Sequence, residues 1–196
     1  MQADLGEVFA RWFDKYEQVD MPSRLASSVL SPGENRLHVE FLSLMQALEG
    51  FHRATMSGLY TTEVEYERIA DELVKAIPAT VPRDHRTALK SRIKYGNEVS
   101  LGKRLDALVD RLPLAIRKRI LGEQGKIPRS WVDTRNYYTH WDASSRECVL
   151  DGIGMHRAGV RMKHLVRALY LDYVGVPHAA IERSLDNACR ESQYLA

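Results

Sequence analysis

The sequence predicts an all-α helical bundle with little or no sheet, on three observations. Apolar residues recur at spacings of three and four over long stretches, first in Leu37, Phe41, Leu44, Leu48 and Phe51 and again in Ala158, Met162, Leu165, Val166, Leu169 and Tyr173. Glycines and prolines cut the remainder into helix-sized pieces. Strand-like alternation bounded by turns is scarce, apart from a short candidate pair near Arg146–Leu150.

Taken in order, Leu5–Glu17 reads as an amphipathic helix through Val8, Phe9, Trp12, Phe13 and Tyr16, and Ser31-Pro32-Gly33 as a breaker. The stripe from Arg36, with Met45 beside it, predicts a helix to about Met56. Shorter helices are expected over Thr62–Ile77, Arg83–Tyr95, Leu101–Arg111 (with Ser100 as a cap) and Leu114–Leu121, set apart by Pro78, Pro82, Gly96, Gly102, Pro113 and Gly122. Pro128 suits the start of a helix over Ile127–Trp141, with Trp131, Thr134 and Tyr138 facing inward, an end near Asp142 and a loop at Ala143-Ser144-Ser145. The long helix from about Met155 stops at Gly175-Val176-Pro177, and His178–Arg190 closes the chain with a short one.

At 196 residues the chain can bury one good core, so a single domain over 1–196 is expected, with a helix and loop over 1–35 and the bundle core over 36–192. No apolar run is long enough to span a membrane, and the first residues lack a signal-peptide pattern, which leads us to expect a cytoplasmic protein. Cys148 and Cys189 stand far apart with no CxxC or Cys/His pattern, so two reduced thiols are expected and a thiolate zinc site is not. The net charge of +2 conceals a division along the chain. Residues 1–82 hold 7 Lys/Arg against 13 Asp/Glu, residues 83–136 hold 14 against 6, and residues 137–196 hold 7 against 7. The middle block, at +8, can attract a polyanion; the plainer reading is a set of solvated helix faces.

That block ends in Arg135-Asn136-Tyr137-Tyr138-Thr139-His140. A guanidinium can hold a phosphate bidentately and stabilise the charge of a pentacoordinate transition state. An imidazole, whose ordinary pKa lies near 6.5, can serve as base for a 2′-hydroxyl or as acid for the departing 5′ oxygen. Asn136 offers an amide to orient the phosphate or the histidine, and Asp133 a charge to tune the site. The nucleophile belongs to RNA, so DNA would not be cut by this route. On a straight helix, residues five apart differ by roughly 140° around the axis. Arg135 and His140 therefore converge either in a cleft at a helix end or across a junction of two copies. Alone, an RxxxxH spacing occurs often by chance, with the arginine in a surface ion pair and the histidine at a helix C-terminus.

The surroundings narrow the choice. An RNxxxH motif near the end of a late helix, followed by one long helix, resembles the HEPN superfamily (higher eukaryote and prokaryote nucleotide-binding domains) and most closely its ApeA-like group, associated with anti-phage defence. The segments Phe41–Arg53, Leu101–Leu112 and Asp133–His140 carry the likeness, which extends over roughly Phe9 to Leu185. The resemblance implies a helical-bundle endoribonuclease that needs no metal or cofactor, cuts cellular RNA such as tRNA, and serves an anti-phage, abortive-infection or toxin role. It further implies a homodimer whose two motifs face each other across a shared cleft, with catalytic roles on Arg135, Asn136 and His140. Longer relatives carry a sensing domain, so a regulatory domain or partner is also expected. In toxins of this superfamily silenced by a nucleotidyltransferase, a tyrosine often follows the histidine by two; Asp142 stands there, which argues against such control.

Other constellations are weaker. Glu49 and His52 have the ExxH spacing of carboxylate-bridged metal sites, but a second ExxH and further inward carboxylates are missing. In the family-like arrangement Glu49 faces the cleft with Arg53 nearby and supports Arg135 or His140; the plainer alternative is a Glu49–Arg53 pair on a solvated face. His156 and His164, eight apart on the long helix, read as surface or interface residues. Tyr137 and Tyr138 suit packing or base stacking. No phosphate-binding GxxxxGK[ST] loop occurs, which disfavours an NTPase. The rival to the enzyme is a non-catalytic helical module that binds nucleotide or RNA, or dimerises, with a relic motif; the intact Arg135, Asn136 and His140 favour the enzyme.

Overall fold

The computed structural model describes residues 4–30, 36–141 and 143–191, side chains of 143–145 and 188–191 excepted. It is all-α: α1 (Leu5–Leu30), α2 (Leu37–Thr55), α3 (Glu63–Lys75), α4 (Arg83–Lys94), α5 (Leu101–Asp110), α6 (Leu114–Leu121), α7 (Arg129–His140), α8 (Gly152–Tyr173) and α9 (His178–Glu191). Among the described residues there is no strand, only an isolated bridge between Leu59 and Glu98. The chain divides into two units, Ser57–Ser100 and the remainder, Met1–Met56 with Leu101–Ala196. The basic block of the sequence is shared between them, its first part falling on α4.

In the larger unit the stripe of α2 is buried through Phe41, Leu44, Met45, Leu48 and Phe51, packed chiefly against α1 and α8 and also against α5. Helix α8 answers with Met155, Ala158, Met162, Leu165, Val166 and Leu169, and α6 and α9 close over its other side. Both helices end where the sequence places stops: α6 at Gly122 (φ 89°) and α8 just before Gly175 (φ 76°), a left-handed region that glycine adopts freely.

Three local expectations are corrected. Helix α1 runs well beyond Glu17, because the chain only kinks at Val19 (φ −116°, ψ 16°) and resumes. Pro22 then falls in the first turn of the resumed segment, where its missing N–H is not needed, and Val19, Ala26 and Val29 enter the core. The segment after α7 is a 3-10 helix, Ala143–Cys148, rather than a loop followed by strands. It is tied back where Leu150 N–H donates to Thr134 Oγ1 at 2.9 Å, Thr134 being fully buried. His164 is buried on α8 beside Leu165 and Ala168, whereas His156 is exposed. The Ser31-Pro32-Gly33 breaker, Asp142 and the Cys189 side chain lie outside the described residues; Cys148 is an exposed free thiol.

The smaller unit is a helical hairpin stitched at its base. Thr62 caps α3 by accepting from Glu65 N–H at 3.2 Å, the first half of a capping box. The buried Asn97 side chain pairs with the Thr61 backbone in both directions at 3.0 Å, and Tyr60 N–H donates to Asn97 O at 2.9 Å. No residue of α3 or α4 is buried. Leu44→Ala should therefore cost about 2–5 kcal/mol in urea unfolding, and Leu73→Ala on half-exposed α3 less than about 1 kcal/mol.

Two buried histidines give the fold a pH dependence. Burial lowers the pKa of His52, assisted by Arg104 and Arg53 against an opposing pull from Glu49; burial and Arg167 do the same to His164. The unfolded chain then takes up protons that the folded chain refuses, so stability is full above the ordinary histidine value and is lost as pH falls through it toward the lower folded values. The urea midpoint should drop between about pH 7.5 and about pH 5.5, and His164→Leu should flatten part of that slope.

Candidate functional site

Helix α7 presents the motif because Trp131, Val132 and Thr134 are buried and fix its rotation, leaving Arg135 and Asn136 half-buried and His140 exposed at the last helical position. The structure brings Arg135 to Glu49 across the gap to α2: Arg135 Nη2 donates to Glu49 Oε2 at 3.1 Å, and Arg135 Nη1 donates to Asn136 Oδ1 at 3.3 Å. The other oxygen of Glu49 accepts from Arg53 Nη2 at 3.2 Å and Nε at 3.3 Å. One carboxylate thus sits between two guanidiniums.

Asp133 and His140 make no bond to that cluster among the described residues. Asp133 accepts from Arg129 Nε at 3.0 Å, with no bond to Arg135 or His140 among the described residues. Asn136 and His140 are four apart on α7 and so share one face, while Arg135 lies off it. The side chain of Arg135 is about a quarter exposed, and part of its fork still faces solvent. Among the described residues it spends only two of its five N–H groups, on Glu49 and Asn136.

Arg104, His38 and Trp141, not singled out in the sequence, complete the surroundings together with His52, Tyr137 and Tyr138. His52 lies buried beneath Glu49 on α2, its Nδ1 3.3 Å from Nη1 of the buried Arg104. Both members of the ExxH pair are thereby engaged by arginines, and no group of three metal-ligating side chains occurs among the described residues. His38 of α2 stacks on Tyr138, ring centroids 6.2 Å apart and planes 11° apart. Tyr138 meets Tyr137 edge-on at 5.4 Å, and Tyr137 packs against Trp141 at 6.3 Å. Trp141 ends α7 with φ 52° and ψ 36°, the one non-glycine residue of positive φ among the described residues. Sequence carried no signal for this, because a left-handed helix end is normally read from glycine or asparagine. An apolar groove of about 540 Å³ between α1 and α8, around Trp12 and Tyr170, includes none of the motif residues.

This arrangement can hold an anion on Arg135, with His140 exposed at the end of the same helix but turned off the arginine's face. No curated protein and no solved structure matches the chain. The family model described as Apea-like HEPN matches residues 42–179, which runs from within α2 to the start of α9 and takes in the Glu49 cluster and the whole motif. With well over half of its length matched, and an all-α fold that agrees, the chain belongs to the ApeA-like HEPN family.

Proposed function

We propose that the protein is a metal-independent endoribonuclease that cleaves cellular RNA, tRNA among the candidates, in an anti-phage, abortive-infection or toxin role. Family membership supports a nuclease or RNA-binding role in defence. The observation that carries the finer reading is the anchoring of Arg135 by Glu49. A guanidinium fixed on one edge and open on the others is preorganised to receive a phosphate, and preorganised charge is the largest common source of transition-state stabilisation.

In this reading Arg135 holds the non-bridging oxygens of the scissile phosphate. His140 removes the 2′-hydroxyl proton or protonates the 5′ oxygen, and the 2′ oxygen attacks phosphorus to leave a cyclic phosphate and a 5′-hydroxyl. Asn136 bridges the two roles, bonded to Arg135 and on the same face as His140. One imidazole cannot readily do both proton transfers from one position. A homodimer with facing motifs supplies a second, and also accounts for the exposure of His140 and its angular distance from Arg135. Glu49 is a positioning residue, held in turn by Arg53. We place this activity in the cytoplasm and expect a regulatory domain or partner to restrain it.

Incubated with total RNA in EDTA, wild type should cut, whereas His140→Ala and Arg135→Ala should lose about 10²–10⁴-fold. Equal cutting by all three proteins would sink the assignment and favour a relic motif. Glu49→Ala should lower kcat about tenfold by freeing Arg135, the scale of one charged hydrogen bond, with Glu49→Gln recovering part of it. Unchanged kcat in Glu49→Ala would show that Arg135 needs no such anchor.

A further inference from the structure

We infer that Trp141 is a base-stacking residue: its indole takes an unstacked nucleobase of the RNA strand whose phosphate lies at Arg135 and His140, an assignment that rests on the ribonuclease reading. At 75% exposure Trp141 is the most exposed large hydrophobic side chain among the described residues, while Trp131 is buried and Trp12 packs on the core. Its backbone is left-handed, a conformation that a bulky residue adopts only at a cost and that glycine would adopt freely. A side chain that adds so little to the core, on backbone so unsuited to it, is the pattern of strain retained for function.

The neighbours give the ring a direction. Tyr137, one turn earlier, packs against the indole with planes inclined at 54°, and is itself braced edge-on by Tyr138, which stacks on His38. The indole is therefore supported on the side of α7 and open on the other. It is bonded through the chain to His140, so a base on it belongs to a nucleotide beside the scissile phosphate. Arg135, with most of its donors unspent, is the cation that receives the strand's phosphate. Aromatic stacking tolerates any base but requires one that is splayed out, which a duplex does not offer.

The test uses a short fluorescein-labelled single-stranded RNA with 2′-O-methyl riboses, which can bind but has no 2′-hydroxyl nucleophile. By anisotropy, Trp141→Ala and Trp141→Leu should weaken binding about tenfold, Trp141→Phe and Trp141→Tyr should stay near wild type, and duplex RNA should bind all variants alike. With cleavable RNA, KM should rise while kcat changes little. Trp141→Gly should move two readouts in opposite directions, raising the urea midpoint by relieving the backbone while weakening RNA binding. Equal affinity of wild type and Trp141→Ala, or full retention by Trp141→Leu, overturns the inference. So does a shift of oligomeric state in Trp141→Ala with RNA affinity unchanged, which would assign the ring to a contact between copies. Trp141-dependent binding without any cleavage of cellular RNA keeps the inference and sinks the ribonuclease reading; no RNA binding by wild type sinks both.

Discussion

Burial of the α2 stripe is the constraint on which the larger unit depends. Phe41, Leu44, Met45, Leu48 and Phe51 are essentially removed from water, each contributing on the order of 1.5–3 kcal/mol. Against a net stability of about 5–15 kcal/mol for a typical domain, that face leaves α2 no freedom to rotate or slide. The polar residues between the apolar ones are then fixed as well. Glu49 lies between Leu48 and Phe51 in sequence but turned off the buried face, and that turn delivers its carboxylate to α7. The register of the site is thus set by the hydrophobic pattern of another helix.

The carboxylate between Arg53 and Arg135 has a second effect. Two guanidiniums this close would repel each other if both were bare, and a phosphate binding there would have to overcome their loss of water as well. Glu49 neutralises one charge and orders the Arg135 fork, yet leaves most of its donors unspent. His52, held neutral by burial and by Arg104, adds no further positive charge beneath this cluster. The polar layer under the motif is therefore one of few charges with fixed partners, suited to receiving an anion without rearranging.

Sequence reading reached the helices because their evidence is periodic: α2 and α8 were legible from Leu37–Phe51 and Ala158–Tyr173, and the ends of α6 and α8 from Gly122 and Gly175. It stopped α1 at Glu17, where the amphipathic stripe through Val8, Trp12 and Tyr16 runs out, whereas the chain only kinks at Val19 and resumes with Pro22 in its first turn. It missed the burial of His164, since a histidine on a helix carries no mark of which side faces the core. Arg135, Asn136, His140, Glu49 and Arg53 could be named from spacing and family likeness, but the bond joining Glu49 to Arg135 spans 86 residues and has no local trace. Asp133, two residues before Arg135, pairs instead with Arg129 one turn away. Trp141 escaped notice because what sets it apart is a backbone angle rather than a residue type.

The hairpin of α3 and α4 is closed by its own hydrogen bonds at Asn97, Thr61 and Tyr60. A segment whose two ends are already tied together carries its own loop-closure entropy, so lengthening or rewriting its far end leaves the separation of those ends unchanged. With no residue of either helix buried, little packing restrains such rewriting. Evolution can treat this stretch as an interchangeable cartridge, diversifying an acidic and a basic helix while the helices that hold Arg135 and His140 stay as they are.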